Sequence, residues 1–342
     1  MRVLAFTGGH TISSARYRVR QLIGPLSKEA IVVTEYIAKY SSWPPPCKWI
    51  RPFWFLLTLA QRLPGIVTSR SYDLTILQRE MVSTFVTLEG FTRRPRVIDI
   101  DDAVWLHQRG HNFKHLLRMC DAAVCGNTFL ADHVSQVTPE VLVLPTLVDS
   151  MRFKPAHDMK ETKSRPIIGW SGLHSGSKYL LAIEKPLKIV LEKYPDALLR
   201  IVSDKAPDLS AIPKHRMQFV RWSPEDSVEV GSLQDMTVGL MPIDDTLWSR
   251  GKCSYKMLLY MACGIPVVVS PYGMNSEVLS KGMVGFGAKS DDQWVEAISA
   301  LIENSSLGQT LGANGRSVVL EHYSISSQLP LFVNFLRKVR NG

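Results

Sequence analysis

No apolar run in this 342-residue sequence is long enough to cross a bilayer. The longest strongly apolar stretch, residues 53–60, is broken by Thr58, whereas a span takes about 20 residues. Cysteine is scarce. Cys47, Cys120, Cys125, Cys253 and Cys263 are odd in number and widely spaced, and no CxxC or Cys/His pair has zinc-site spacing. This predicts a reduced, intracellular protein. The opening Met1-Arg2-Val3-Leu4-Ala5-Phe6 runs into glycines without a long apolar core. It reads as a first strand and not as a secretory leader. Short-period repeats, low-complexity tracts and recognised RNA- or DNA-binding modules are missing too, so no nucleic-acid partner is expected.

Acidic residues are scarce at the front of the chain. The first 98 residues hold 14 basic and 5 acidic side chains, and the remainder holds 26 of each, so the whole net charge of +9 sits in that front part. An even solubilising coat would not be distributed this way, and the N-terminal region is expected to face something anionic. Apolar residues make up 45% and charged residues 21%, a globular composition. The length suits two domains of similar size.

Strand-like apolar runs alternate with helix-period segments in both halves. The first half gives residues 3–6, 30–34, 74–77, 97–100, 122–125 and 141–144. The second gives 167–170, 198–202, 218–221, 238–241, 267–269 and 284–286. Buried strands separated by helices indicate parallel doubly wound sheets, so the fold class is α/β with two Rossmann-like domains. The charged, proline-punctuated stretch 153–166 reads as a linker between domains at 1–152 and 167–324. The tail 325–342 reads as a helix with a basic end.

The most defined local chemistry lies around residue 250. Ser254 is a plausible N-cap for a helix that Gly264 and Pro266 end. Arg250, Lys252 and Lys256 crowd its start, and no acidic residue follows Thr246 until Glu277. Cations oppose the helix dipole there, which makes sense if an anion such as phosphate sits on the helix N-terminus. A solvated basic loop is the alternative.

The stretch 238–273, with Met261-Ala262-Cys263-Gly264-Ile265-Pro266-Val267-Val268-Val269-Ser270-Pro271 at its heart, resembles the donor-binding half of glycosyltransferase family 4. Ile168-Gly169-Trp170-Ser171-Gly172, Gly312-Ala313-Asn314-Gly315-Arg316 and His322-Tyr323-Ser324 look similar to its other landmarks. In the first half, Ser14-Ala15-Arg16-Tyr17-Arg18-Val19, Asp99-Ile100-Asp101-Asp102-Ala103 and Cys125-Gly126-Asn127-Thr128 resemble one bacterial branch. The resemblance implies a GT-B fold, two Rossmann-like domains facing across a cleft with a C-terminal helix crossing back onto the first. It also implies retaining, metal-independent transfer from a nucleoside diphosphate sugar, with no cofactor, onto a glycan or lipid-linked acceptor of the bacterial cell surface. Such a protein would be cytoplasmic and peripheral to the inner membrane face.

Site residues follow from that resemblance. Lys256, Arg250 and Lys252 would stabilise the leaving diphosphate, together with the helix turn of Ser254, Tyr255, Met257 and Leu258. Trp170, Ser171 and Gly172 would close over the donor, and Glu277 matches a donor-side position. Gly8 and Gly9 would approach the diphosphate, or form a plain tight turn. Arg16 and Arg18 would anchor a phosphorylated acceptor, or lie on a solvated face. Asp101 and Asp102 would orient the acceptor hydroxyl or take its proton, or merely cap the next helix. The Asp-x-Asp metal site of another glycosyltransferase class does not fit the two-domain pattern. The family's paired glutamates, eight positions apart, fall here on Gly251 and Leu259. That departure motivates a second reading, a non-catalytic nucleotide- or glycan-binding partner.

Trp49, Phe53, Leu56, Leu57 and Ala60 share one helical face, with Lys48, Arg51 and Arg62 nearby. Contact with an anionic membrane surface and burial against the sheet both account for that face. His107, His111 and His115 recur every four residues but lack the glutamate of HExxH, so no metal is expected.

Overall fold

The computed structural model describes residues 1–10, 12–40, 44–83, 85–106, 110–156 and 165–342. The chain divides into two compact units. One comprises Met1–Leu147, Gly251–Cys253 and Ile325–Gly342; the other comprises Val148–Arg250 and Ser254–Ser324.

The first unit holds a six-stranded parallel sheet of β1 (Arg2–Thr7), β2 (Val32–Ile37), β3 (Leu74–Gln78), β4 (Arg96–Ile100), β5 (Ala122–Cys125) and β6 (Glu140–Val143), in the order β2-β1-β3-β4-β5-β6. Each strand lies where the apolar runs place it. The second begins at Val32 and not Ala30, because Ala30 takes a left-handed turn conformation with φ 57°. β3 and β4 are buried along their whole length, as strands covered on both faces must be. On one face, Leu22 and Leu26 of helix α1 (Gln21–Lys28) pack with Val3, Ala5 and Val97. Phe332, Val333, Phe335 and Leu336 of the C-terminal helix Ile325–Asn341 complete that core.

Two helices join β2 to β3. These are α2 (Arg51–Ala60) and α3 (Leu63–Ser69), each with a proline in its first turn, where the missing N–H costs nothing. α2 is held on one side, where Thr58 is buried and Phe55 packs edge-on against Phe85 at 5.4 Å. Its other side and the turn Lys48–Ile50 ahead of it are open: Trp49 is 92% exposed, Phe53 66% and Leu56 64%. Leu57 is half-buried and leaves the expected stripe. Arg62, expected among the cations beside it, does not join them. It is buried, with its guanidinium donating to the carbonyls of Thr7 (2.9 Å) and Tyr36 (3.3 Å). Burial there lowers its pKa to about 10.

The second unit holds β7 (Ile167–Ser171), β8 (Leu198–Ser203), β9 (Met217–Arg221), β10 (Val238–Met241), β11 (Val267–Val269) and β12 (Gly285–Gly287). All are parallel, in the order β12-β11-β10-β7-β8-β9. This is the doubly wound arrangement in which the strand order reverses between β7 and β10. Its core gathers Ile168, Trp170, Leu187, Val190, Leu240, Val268 and Trp294.

The division between units falls at Leu147/Val148. Val148 bridges to Ser324, and Arg152 pairs with Asp226 and Glu229, each at 2.6 Å, which ties residues 148–153 into the second unit. Residues 157–164 of the expected linker lie outside the described residues, as does His107. Among the described residues no helix is long and apolar enough to cross a membrane. All five cysteines are free thiols, and burial pushes Cys120, Cys125 and Cys263 up to about 12.

Candidate functional site

In doubly wound sheets, ligands settle at the carboxyl ends of the strands where the order reverses. In the second unit that point lies beyond β7 and β10. The helix Tyr255–Ala262 is fixed there by Tyr260. Its ring lies against Gly239 of β10, where a Cβ would come within 2.4 Å, and its hydroxyl accepts the Ser171 N–H of β7 at 2.7 Å. Burial pushes the Tyr260 phenol well above its ordinary range, so it stays protonated.

One helical turn before Tyr260 stands Lys256. Its ammonium lies 5.2 Å above the Trp170 ring, a cation–π contact. Gly172 leaves room for it: a Cβ there would meet Lys256 Nζ at 2.5 Å and the Trp170 ring at 2.6 Å. The structure thus brings Trp170, Ser171, Gly172 and Lys256 together at one strand-end turn. Trp170 itself is buried in the core, so its indole supports the lysine from below.

Ser254 stands at the head of the helix but does not cap it as expected. Its backbone is left-handed, φ 46°, and its hydroxyl donates to Asn275 Oδ1 at 2.7 Å. Asn275 in turn donates to the carbonyls of Met241 (3.3 Å) and Ser270 (2.9 Å), stitching the ends of β10 and β11 together. The first helical hydrogen bond runs from Leu258 N–H to Ser254 O at 3.3 Å. The amides of the preceding turn therefore point out of the helix N-terminus, where the dipole favours an anion. Met257 and Leu258 have fully buried side chains, so any role of theirs at the site is confined to the backbone.

The three cations do not form one cluster in one unit. Arg250 and Lys256 belong to the second unit and Lys252 to the first. Arg250 pairs with Asp245 at 2.8 Å, a carboxylate just ahead of the acid-free stretch. Neighbouring Asp244 accepts from Thr246 at 2.7 Å and from Ser249, which braces the loop. Glu277 lies in the first turn of the helix Met274–Leu279. Burial, and then the Glu277 charge, push the Tyr323 phenol up to about 12.

In the first unit the strand order reverses between β1 and β3. Gly8 and Gly9 follow β1, Gly9 with a φ of 152°. Arg79 follows β3 directly and is held in the left-handed region, φ 59°. From there its guanidinium reaches Asp101 at 2.5 Å and Asp102 at 2.6 Å, beyond the end of β4. The two carboxylates therefore serve an arginine and not a helix cap. Burial alone would raise the Asp101 carboxyl, but Arg79 and Arg18 outweigh it and hold it below its ordinary range. Asp102 goes the other way: burial, then the Asp101 charge, raise it against the pull of Arg79 and Lys252. Adjacent carboxyls pushed apart in this way are a pattern of acid–base sites.

Arg18 corrects an expectation. Its side chain is 2% exposed and spent on Asp99 at 2.7 Å, Leu144 O at 3.1 Å and Thr146 Oγ1 at 3.2 Å. It is a structural cation and not an acceptor anchor. Arg16 is half-buried, lying over the Tyr17 ring at 4.9 Å. Lys252 offers its carbonyl to Asn127 Nδ2 at 3.0 Å, and Cys253 Sγ donates to Asp101 O at 3.2 Å, which places Gly251–Cys253 in the first unit. Sequence reasoning missed Arg79, Tyr260 and Asn275. A single arginine after a strand, a tyrosine in an apolar helix and an asparagine in the first turn of a short helix carry no signal until the sheet order is known.

The family model described as glycosyl transferases group 1 matches residues 165–304. No curated protein sequence matches. Among solved structures, sucrose-phosphate synthase from Thermosynechococcus elongatus superposes with a TM-score of 0.73 at 16% identity, covering 99% of this chain and 98% of that one. Anabaena Alr3699/HepE, in complex with UDP and glucose, superposes at 0.67 and 14% identity, covering 99% and 100%. A glycosyltransferase from Rickettsia africae ESF-5 gives 0.65 and 15%, covering 99% and 98%. The fold is therefore that of the GT-B glycosyltransferases, and residues 165–304 match the group 1 glycosyltransferase model.

Proposed function

We propose that this chain is a family 4-like glycosyltransferase moving a sugar from a nucleoside diphosphate sugar, held by the second unit, to an acceptor held by the first. The observation that carries the reading is Lys256. A cation fixed over Trp170, beside Gly172 and next to the outward amides of a helix N-terminus, fits a diphosphate. The bond from the anomeric carbon to the diphosphate breaks, and Lys256 with those amides meets the charge growing on the leaving group. Arg250 of the second unit and Lys252 of the first are further cations for the leaving diphosphate. The acceptor oxygen forms the new bond, and its proton passes to Asp102, the carboxyl that burial has raised. Asp101 stays ionised beside Arg79 and fixes that geometry.

The reading extends to a retaining, metal-independent transfer without a cofactor, in bacterial cell-surface polysaccharide synthesis. The acceptor is a glycan or a lipid-linked sugar, met at the inner face of the cytoplasmic membrane. Bound UDP in the Anabaena protein supports a uridine nucleotide as the first donor to test.

A second reading rests on Gly251 and Leu259, which stand where the family's glutamates would be. It makes the chain a nucleotide- or glycan-binding partner without catalysis. Incubation with UDP- and GDP-sugars and a lipid-linked acceptor extract, following nucleotide release, separates the two. Release that depends on acceptor supports transfer. Tight UDP binding with neither transfer nor donor hydrolysis leaves only the second reading.

A further inference from the structure

The most unusual surface of the first unit lies on the helices that join β2 to β3. Trp49, Phe53, Leu56 and Ala60 of α2 and its approach are exposed, and so are Leu63 and Val67 of α3. α2 ends at Ala60 and α3 begins at Leu63, but Gln61 and Arg62 between them keep right-handed helical dihedrals, with Gln61 N–H on Leu57 O at 3.0 Å and Ile66 N–H on Arg62 O at 3.1 Å. At about 100° per residue, steps of four, three, four, three and four return to one face of a helix. These six exposed side chains therefore fall near one face, as an apolar strip that begins in a tryptophan. Scattered exposed apolar residues are ordinary on a protein surface, but a strip of this length marks a contact.

Charge says what the contact is with. No acidic residue occurs between Glu35 and Asp73, whereas Lys39, Lys48, Arg51, Arg62 and Arg70 do. Four of these five are exposed, Arg62 being buried. A second copy of the chain laid on this face would bring Lys48 and Arg51 against their own counterparts with no carboxylate to meet them. An anionic bilayer meets both features, since its headgroups take the cations and its acyl boundary takes the apolar edge.

We propose that the α2–α3 face is an interfacial docking surface for anionic phospholipid, lying in the membrane plane with Trp49, Phe53 and Leu56 inserted. It deepens the reading of an acceptor met at a membrane, and its test needs no sugar.

The full chain is sedimented with vesicles of mixed phosphatidylglycerol and phosphatidylcholine, and with vesicles of phosphatidylcholine alone. Binding is expected to the anionic vesicles, to weaken as salt is added, and to fall sharply without phosphatidylglycerol. The double variant Phe53→Ser/Leu56→Ser replaces exposed side chains, so the fold is expected to survive, as checked by circular dichroism. It should lower the partition coefficient by at least about tenfold, from the lost transfer of two large apolar side chains. Unchanged binding by the double variant overturns the proposal, as does failure of the natural chain to bind at low salt. A natural dimer that the double variant splits, with no lipid binding in either form, assigns the face to a second copy instead. Donor turnover in the double variant, read as nucleotide release in detergent, is expected to be unchanged, so sugar transfer stands or falls apart from the docking surface.

Discussion

The Tyr260 hydroxyl accepts the Ser171 N–H at 2.7 Å while its ring covers Gly239, so one side chain spans β7 and β10 at the point where the strand order reverses. Lys256 sits one turn earlier on the same helix and inherits its position from that contact. Replacing Tyr260 with Phe keeps the ring and removes the acceptor, leaving a half-buried N–H without its partner. The expected cost is about 1–3 kcal/mol of stability, read from urea denaturation. Nucleotide affinity should fall as well, because the turn that carries Gly172 loses its tether. An unchanged denaturation midpoint would show that the Ser171 turn holds itself.

Gly172 and Lys256 give the direct test of the donor site. Lys256→Ala should lower kcat/KM by about 2–4 kcal/mol of transition-state stabilisation, as losing one preorganised charge partner does. Gly172→Ala keeps the lysine but puts a methyl 2.5 Å from its ammonium and 2.6 Å from Trp170. Lys256 must then move, so nucleotide binding by calorimetry should weaken about tenfold or more while the fold is retained. Full binding in both variants would remove this turn from the site.

The strands among the described residues could be read from the sequence because inner parallel strands such as β5, β10 and β11, buried along their whole length, leave short apolar runs, while the outer ones keep enough of that pattern to be placed. The start of the second strand could not, because Ala30 is apolar yet sits in a left-handed turn, and its side chain carries no sign of that. Lys256 stood out as a cation facing a helix dipole, a local pattern. Arg79 did not, because its two partners lie 22 and 23 residues further along and meet it only through the pairing of β3 with β4. Arg18 misled for the same reason. An arginine in a basic stretch looks solvated until the fold brings Asp99 to it.

Arg79 predicts a pH effect with a definite sign. It is the main positive charge opposing the rise of Asp102, and it holds Asp101 down. A carboxyl near a cation ionises at lower pH, and taking the cation away raises its pKa. If Asp102 accepts the proton of the acceptor, transfer is lost as pH falls through its pKa. Arg79→Met should therefore move the acid limb of kcat/KM to higher pH, with Arg79→Lys between the two. A purely structural arginine would lower activity at all pH values without moving that limb.

The last prediction concerns stability alone. Arg18 and Asp99 are both nearly inaccessible, paired at 2.7 Å, with Arg18 held strongly protonated because Asp99 outweighs the burial that opposes its charge. Asp99→Asn keeps the shape and one acceptor oxygen but deletes the countercharge, leaving the buried guanidinium on neutral acceptors there and at Leu144 O and Thr146 Oγ1. The expected cost is about 3–5 kcal/mol, measured by urea denaturation. The paired replacement Arg18→Met/Asp99→Leu removes both charges together and should recover most of that loss, since well-packed apolar residues often replace a buried pair at little cost. If Asp99→Asn instead leaves stability unchanged, Arg18 is not held by this pair, and its reading as an acceptor anchor reopens.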